Sequence, residues 1–110
     1  MPDALSDLEQ LVLLALLRLD DQAYGVSITR ELAQHAGREV GFATVYKTLI
    51  RLEGKGYVGS RLGSPTPERG GRRKRFYHLL PSGRAALAAS LAAIRRMSHG
   101  LSALLTDESR

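Results

Sequence analysis

The stretch 41-GFATVYKTLIRLEGKGYV-58 has two chemically different sides when wound as a helix. Val45, Leu49 and Leu52 recur at i, i+4 and i+7, the spacing of a buried helical stripe, and Ile50 widens it. Thr44, Lys47, Thr48 and Arg51 take the opposite side, with Lys55 at its end. Gly54 and Gly56 stop the helix, as glycine does near a C-cap. A helix that buries one stripe and offers cations and hydroxyls on the other can be read by a polyanion, so the segments around it decide the fold.

Downstream, YVGSRLG reads as a short strand, SPTPERGG as a Pro, Gly and Ser loop, and RRKRFYHLL as the return strand. Alternation puts Arg73, Arg75, Tyr77 and Leu79 on one strand face and Lys74, Phe76 and His78 on the other, with Phe76 expected in the core. Two strands alone are marginal, so this hairpin must lie against helices. Pro81 suits the first turn of a last helix. Along that helix Leu87, Leu91, Ile94, Met97, Leu101 and Leu104 recur at spacings of three and four. Taken as continuous, it predicts a rod of about 37 Å, with a bend or fraying near Gly100, which costs a helix about 1 kcal/mol relative to alanine. Such a stripe is longer than the rest of the chain can cover. Pairing with a second copy is the economical solution, and the many alanines allow close approach.

Upstream, Ser6 and Glu9 have the spacing of a capping box. Leu8, Leu11, Val12, Ala15 and Leu16 mark one face of this first helix, yet Leu13, Leu14 and Leu17 are apolar as well. A helix apolar nearly all round needs cover on two sides, the second expected from another subunit. A second helix runs from Tyr24 or Ser27 to His35 with Val26, Ile28, Leu32 and Ala33 buried, and Gly37 closes it.

The 110 residues make one domain with a marginal core, divisible into residues 1–80 and a C-terminal helix with short tail at 81–110. With no cysteine, disulfides and thiolate chemistry are excluded. The three histidines stand apart without neighbouring carboxylates, so no metal site is expected, and no catalytic residues or cofactor are expected either. The apolar run LVLLALL is far short of a membrane span, and the acidic start MPDALSDLEQ does not resemble a secretory signal; a cytoplasmic protein is expected. Net charge is +5, but Arg61 to Arg84 holds seven basic residues and one acid, so the rest of the chain is slightly acidic. Positive charge concentrated in one quarter of a chain points to nucleic acid.

Three helices, a strand, a loop, a strand and a helix, in that order, predict a mainly α winged helix of the α+β kind: a helix-turn-helix DNA-binding fold with a two-stranded wing and a C-terminal dimerisation helix. In that fold the third helix enters the major groove. Lys47 and Arg51 suit guanine edges, while Thr44 and Thr48 suit a thymine methyl or a phosphate. Arg72, Arg73, Lys74 and Arg75 suit the phosphate backbone. Tyr24 and Tyr46 are candidates for phosphate contact through their hydroxyls. Leu13, Leu17, Leu87, Leu91, Ile94, Met97, Leu101 and Leu104 are the candidate dimer surface. Two other readings fit the same charge pattern, a protein-interaction module that docks an acidic partner and a nucleic-acid binder without a preferred site.

Four segments, LEQLVLLALL, AYGVSITREL, TVYKTLIRLEGKGYV and RRKRFYHLLPSGRAAL, resemble the PadR family of bacterial transcriptional regulators. The resemblance is carried by Tyr24-Gly25, Thr44-Val45-Tyr46, Leu52-Glu53 before Gly56, and Phe76-Tyr77 before Pro81 and Gly83, and spans Leu5 to Leu105. It implies a winged-helix homodimer that represses transcription from a palindromic operator on double-stranded DNA. The single C-terminal helix resembles the compact branch of that family, some members of which respond to a small hydrophobic effector. The chain departs from the family pattern in three places. Gly41 and Phe42 stand where a capping Ser or Thr is usual, Leu80 stands where a Thr precedes the proline, and there is no tryptophan to sandwich a planar effector.

Overall fold

The computed structural model describes residues 4–64 and 73–106. Arg69 and Arg72, with the rest of 65–72, lie outside the described residues, as do 1–3 and 107–110. Helix α1 spans Asp7–Leu19, a single 3-10 turn Asp20–Gln22, α2 Gly25–Ala36 and α3 Phe42–Gly54. Strands β1, Val58–Leu62, and β2, Arg75–Leu79, pair antiparallel with Val58 opposite Leu79 and Leu62 opposite Arg75. Helix α4, Pro81–Ser98, and the one-turn α5, Ser102–Leu105, complete a winged helix.

The core is one cluster drawn from every major element: Val12, Leu13, Ala15 and Leu16 of α1, Ile28 and Leu32 of α2, Val45, Leu49 and Leu52 of α3, with Ala23, Val58, Tyr77 and Leu87. Each large side chain removed from water in this way contributes about 1.5–3 kcal/mol. The stripe expected on α3 is buried except at its margin. Ile50 is 51% exposed, and Thr48, expected to face solvent, is 1% exposed. Thr48 can be buried cheaply because its hydroxyl donates to the Thr44 carbonyl at 2.8 Å, leaving no polar group unpaired. In α2, Val26 is likewise exposed, while Ile28 and Leu32 are buried.

The hairpin is held to the helices by main chain as well as side chains. The Tyr77 N–H donates to the Ala23 carbonyl at 2.8 Å, and Tyr24 bridges to Phe76, so the segment before α2 acts as a third rung beside β2. This pairing decides which strand face turns inward. Tyr77, 4% exposed, enters the core, whereas Phe76, expected there, is only partly buried. Phe76 lies edge-on to Tyr24 at 5.6 Å between ring centroids, with the Arg61 guanidinium 4.8 Å from its own centroid. The alternation is as read but the faces are exchanged, because strand period alone does not say which side is in.

Two residues expected at a dimer surface belong to the chain's own core: Leu13 is fully buried and Leu87 is 3% exposed. On the Leu13 side, therefore, α1 is covered from within. The continuous 25-residue rod does not form. Helix α4, about 27 Å long, ends at Ser98, and Gly100 takes φ 79°, a left-handed conformation that favours glycine, before α5 begins. Leu91 is the last α4 leucine packed against the core; Ile94 and Met97 beyond it are exposed.

At its start, α4 is fastened to the turn between α3 and β1. The Leu80 N–H donates to the Tyr57 carbonyl at 2.9 Å and the Ser82 hydroxyl to the Gly56 carbonyl at 2.6 Å. Gly83 is buried against the Tyr57 backbone, so that a Cβ at this position would fall on the Tyr57 carbonyl.

Glu9 is the one buried charged side chain among the described residues, 2% exposed. Its Oε1 accepts the Ser6 N–H at 2.9 Å and its Oε2 the Arg51 Nε–H at 3.1 Å; Lys55 Nζ donates to both oxygens at 3.2 and 3.1 Å. The Ser6 Oγ in turn accepts the Glu9 N–H at 3.1 Å, completing the expected capping box. Burial alone would push the Glu9 carboxyl up, but the Ser6 backbone donor, Lys55 and Arg51 together hold it below the usual carboxylate range.

Because the folded carboxyl ionises more readily than the unfolded one, its stabilisation is complete above a pH of about 4.3 and is lost as pH falls through the lower folded value. Glu9→Gln, which keeps shape but not charge, is expected to cost about 2 kcal/mol near neutral pH, measured by urea denaturation. The gap to the parent protein should narrow as the titration is repeated below pH 4. Gly83→Ala is expected to cost about 2 kcal/mol or more in the same assay with no recovery at low pH, since its penalty is steric.

Candidate nucleic-acid interface

Three parts of the chain meet at one notch. The start of α2 brings Tyr24, Gly25 and Val26, the first two turns of α3 bring Phe42 and Tyr46, and the wing brings Arg73, Lys74 and Arg75 above the buried Tyr77. Each part is set locally. The Tyr24 N–H donates to Ser27 Oγ at 2.9 Å while the Ser27 hydroxyl donates to the Gln22 carbonyl at 2.6 Å, fixing the entry to α2. Gly41 N-caps α3 in extended geometry and no side chain caps it, which leaves amide N–H groups of the first turn open to an incoming acceptor.

Phe42, the first residue of α3, stacks on Tyr46 one turn later with centroids 6.3 Å apart and planes 13° from parallel. The Phe42 ring occupies the space a Cβ at position 25 would need, so α2 and α3 approach at a glycine because an aromatic ring rests on it. On the wing, Lys74 Nζ stands 4.5 Å from the centroid of the Tyr24 ring, a cation–π placement. Arg75 donates through Nη1 to Ser60 Oγ at 3.0 Å, and the Ser60 hydroxyl donates to Glu53 Oε2 at 2.8 Å. A chain of contacts thus runs from wing to α3. Burial pushes the Tyr77 phenol up, with Tyr46 and Glu53 adding to the shift, so Tyr77 stays neutral behind the notch.

Of the candidate residues, Tyr24, Tyr46, Arg73, Lys74 and Arg75 are brought together here. Thr44 and Lys47 lie exposed on α3. Arg51 is 53% exposed in its side chain and is held through Nε by Glu9, while its two Nη nitrogens have no partner among the described residues. Thr48 leaves the base-reading set because it is buried. Arg72 lies outside the described residues. At the other end of the chain Ile94, Met97, Leu101, Leu104 and Leu105 are exposed and apolar, as is Leu17 on α1. Leu91 is partly buried against the core.

Sequence reasoning missed Phe42 and the second role of Glu9. Phe42 left a signal, an aromatic residue four before Tyr46 at the start of the helix. Glu9 left none, since its spacing from Ser6 already accounted for it. Among the described residues no three His, Cys, Asp or Glu side chains gather as a metal site, and no helix is long and apolar enough to cross a membrane.

The family model described as "Transcriptional regulator PadR-like family" matches residues 13–89. A transcriptional regulator of Mycobacterium tuberculosis, Rv3488, is 37% identical over 79 residues, which is 72% of this chain and 69% of that protein. Among solved structures, a PadR family transcription regulator from Clostridium difficile R20291 superposes with a TM-score of 0.73 at 21% identity, covering 91% of this chain and 99% of the other. A PadR family transcriptional regulator from Eggerthella lenta DSM 2243 superposes with a TM-score of 0.67 at 27% identity, covering 91% and 87%. Winged-helix geometry, the paired α3 and wing, and a family match across most of its length agree: the chain belongs to the PadR-like family of transcriptional regulators.

Proposed function

We propose that this chain is a cytoplasmic homodimeric repressor that binds a pseudo-palindromic operator in double-stranded DNA. The observation that carries the reading is the notch in which the first turns of α3 meet the cationic base of the wing. An outer helix face bearing Lys47 and Arg51 beside arginines and a lysine on a hairpin matches a major groove flanked by phosphates. In this reading Thr44, Lys47 and Arg51 approach base edges, and Arg73, Lys74 and Arg75, with Arg72, hold the backbone. Tyr24 and Tyr46 border the phosphate path.

Residues 1–80 form the DNA-binding part and 81–110 the dimerisation part. The exposed apolar end of the chain, Ile94, Met97, Leu101 and Leu104, supports pairing of two copies, because so much apolar surface on one end of a small chain is costly in water; Leu17 on α1 is exposed as well. Two copies would place their α3 helices on half-sites about one helical turn apart, roughly 34–36 Å. A small hydrophobic effector that changed this separation would release the DNA.

Binding to the duplex upstream of its own gene, titrated against salt, tests the proposal. Affinity should exceed that for a scrambled duplex by about 10³ or more; equal affinities would make the chain a non-specific binder, and no binding at modest salt would make it a protein-docking module. Arg73→Ala should weaken all duplexes alike and lower the salt slope by about one unit, whereas Lys47→Ala should flatten the preference between duplexes. Ile94→Asp should convert the dimer to a monomer by light scattering at micromolar concentration while leaving the helical circular dichroism in place. A parent protein already monomeric there would remove the role given to α4 and α5.

A further inference from the structure

The outer surface of α3 carries more apolar area than a solvated helix face needs. Phe42, Tyr46 and Ile50 are 54%, 46% and 51% exposed. They stand at i, i+4 and i+8, so they form one inclined stripe, about 12 Å from first to last. None is required by the chain's own core, which Val45, Thr48, Leu49 and Leu52 close on the other side of the helix. The stripe is flanked by cations: Lys47 and Arg51 on α3, and Arg73, Lys74 and Arg75 across the notch. An occupant must therefore be a polyanion that presents small apolar groups at its surface. Duplex DNA does so in one place, the C5-methyl group of thymine in the major groove. Phosphates on both sides suit the cations, and the length of the stripe matches the rise of three to four base pairs at 3.4 Å each.

We propose that Phe42 and Ile50 determine sequence preference by packing against thymine methyl groups, with Tyr46 holding the Phe42 ring in place by stacking. This rests on the DNA-binding reading above and adds to it a specificity that Lys47 and Arg51, as hydrogen-bond donors, cannot supply. Phe42 is set for the task by Gly25, whose lack of a side chain leaves room for the edge of its ring against the start of α2. Ile50 is the residue that the helical stripe assigns to the core, yet the fold turns it outward, and on the surface its branched side chain is a stiff apolar contact.

The test is a duplex selected by this protein from a random-sequence pool, remade with deoxyuridine in place of each thymine in turn, which removes only the methyl. Each methyl covered by Phe42 or Ile50 should be worth about fourfold in affinity. Phe42→Ala should abolish the uracil penalty at one position of each half-site and Ile50→Ala at a second position about three to four base pairs away, both variants keeping the parent's helical circular dichroism and its salt slope. Uracil substitution without effect at every position would overturn the proposal, as would penalties that persist unchanged in both variants, or a selected site without thymine. Variants that alter oligomeric state but not the uracil penalties would make the stripe a protein interface instead. Failure to select any duplex would reject the DNA-binding reading itself, and this inference with it; loss of methyl discrimination alone leaves that reading standing.

Discussion

One buried carboxylate governs how α3 is presented. Glu9 lies near the start of α1, accepts a main-chain N–H from Ser6, and accepts from Arg51 and Lys55 near the end of α3. A charge that is only 2% exposed is costly to bury unless donors surround it, so its position sets where both cations must be. They lie one turn apart on the same side of α3, which fixes the rotation of that helix about its own axis. Rotation by one residue would carry Arg51 away from Glu9 and bring Ile50 toward the core. The capping box and the ion pair therefore act on the same atoms: one starts α1, the other orients α3.

The wing is fixed by a different kind of constraint. Hydrogen bonding of Tyr77 to Ala23 and the bridge between Tyr24 and Phe76 tie β2 to the segment that enters α2. The hairpin base cannot move without disturbing α2, and the Phe42 ring couples α2 to α3 through Gly25. Wing, second helix and third helix thus share one junction, which brings together residues that are distant in sequence. Preorganisation of this kind reduces the ordering cost of binding.

What could be read in the sequence is what is local. The Ser6 and Glu9 spacing, the Val45, Leu49 and Leu52 stripe, Gly37 and Gly54 as stops, and Pro81 as a start each act within a turn or two, and the helices and hairpin were legible from them. The losses on the wing and on α3 involve partners far apart in the chain. Whether Phe76 or Tyr77 enters the core depends on Ala23, more than fifty residues earlier. Thr48 and Ile50 exchange places because the buried arc of α3 is centred by Glu9, 42 residues from Arg51. The stripe of the last helix runs through Gly100 without a break in period; the bend expected near that glycine is present, although the spacing alone carried the helix on past it. For the interface, the cations were legible by charge, but their assembly around Phe42 was not.

Gly83 has a mechanical consequence. With no side chain between α4 and the Tyr57 backbone, and with Leu80 and Ser82 hydrogen-bonded to the same turn, the joint has no slack. Helix α4 is a lever of about 27 Å whose pivot adjoins the end of α3. A tilt of about 5° at this joint would move its far end by roughly 2 Å, so a small change where Gly83 meets Tyr57 is felt most at Met97.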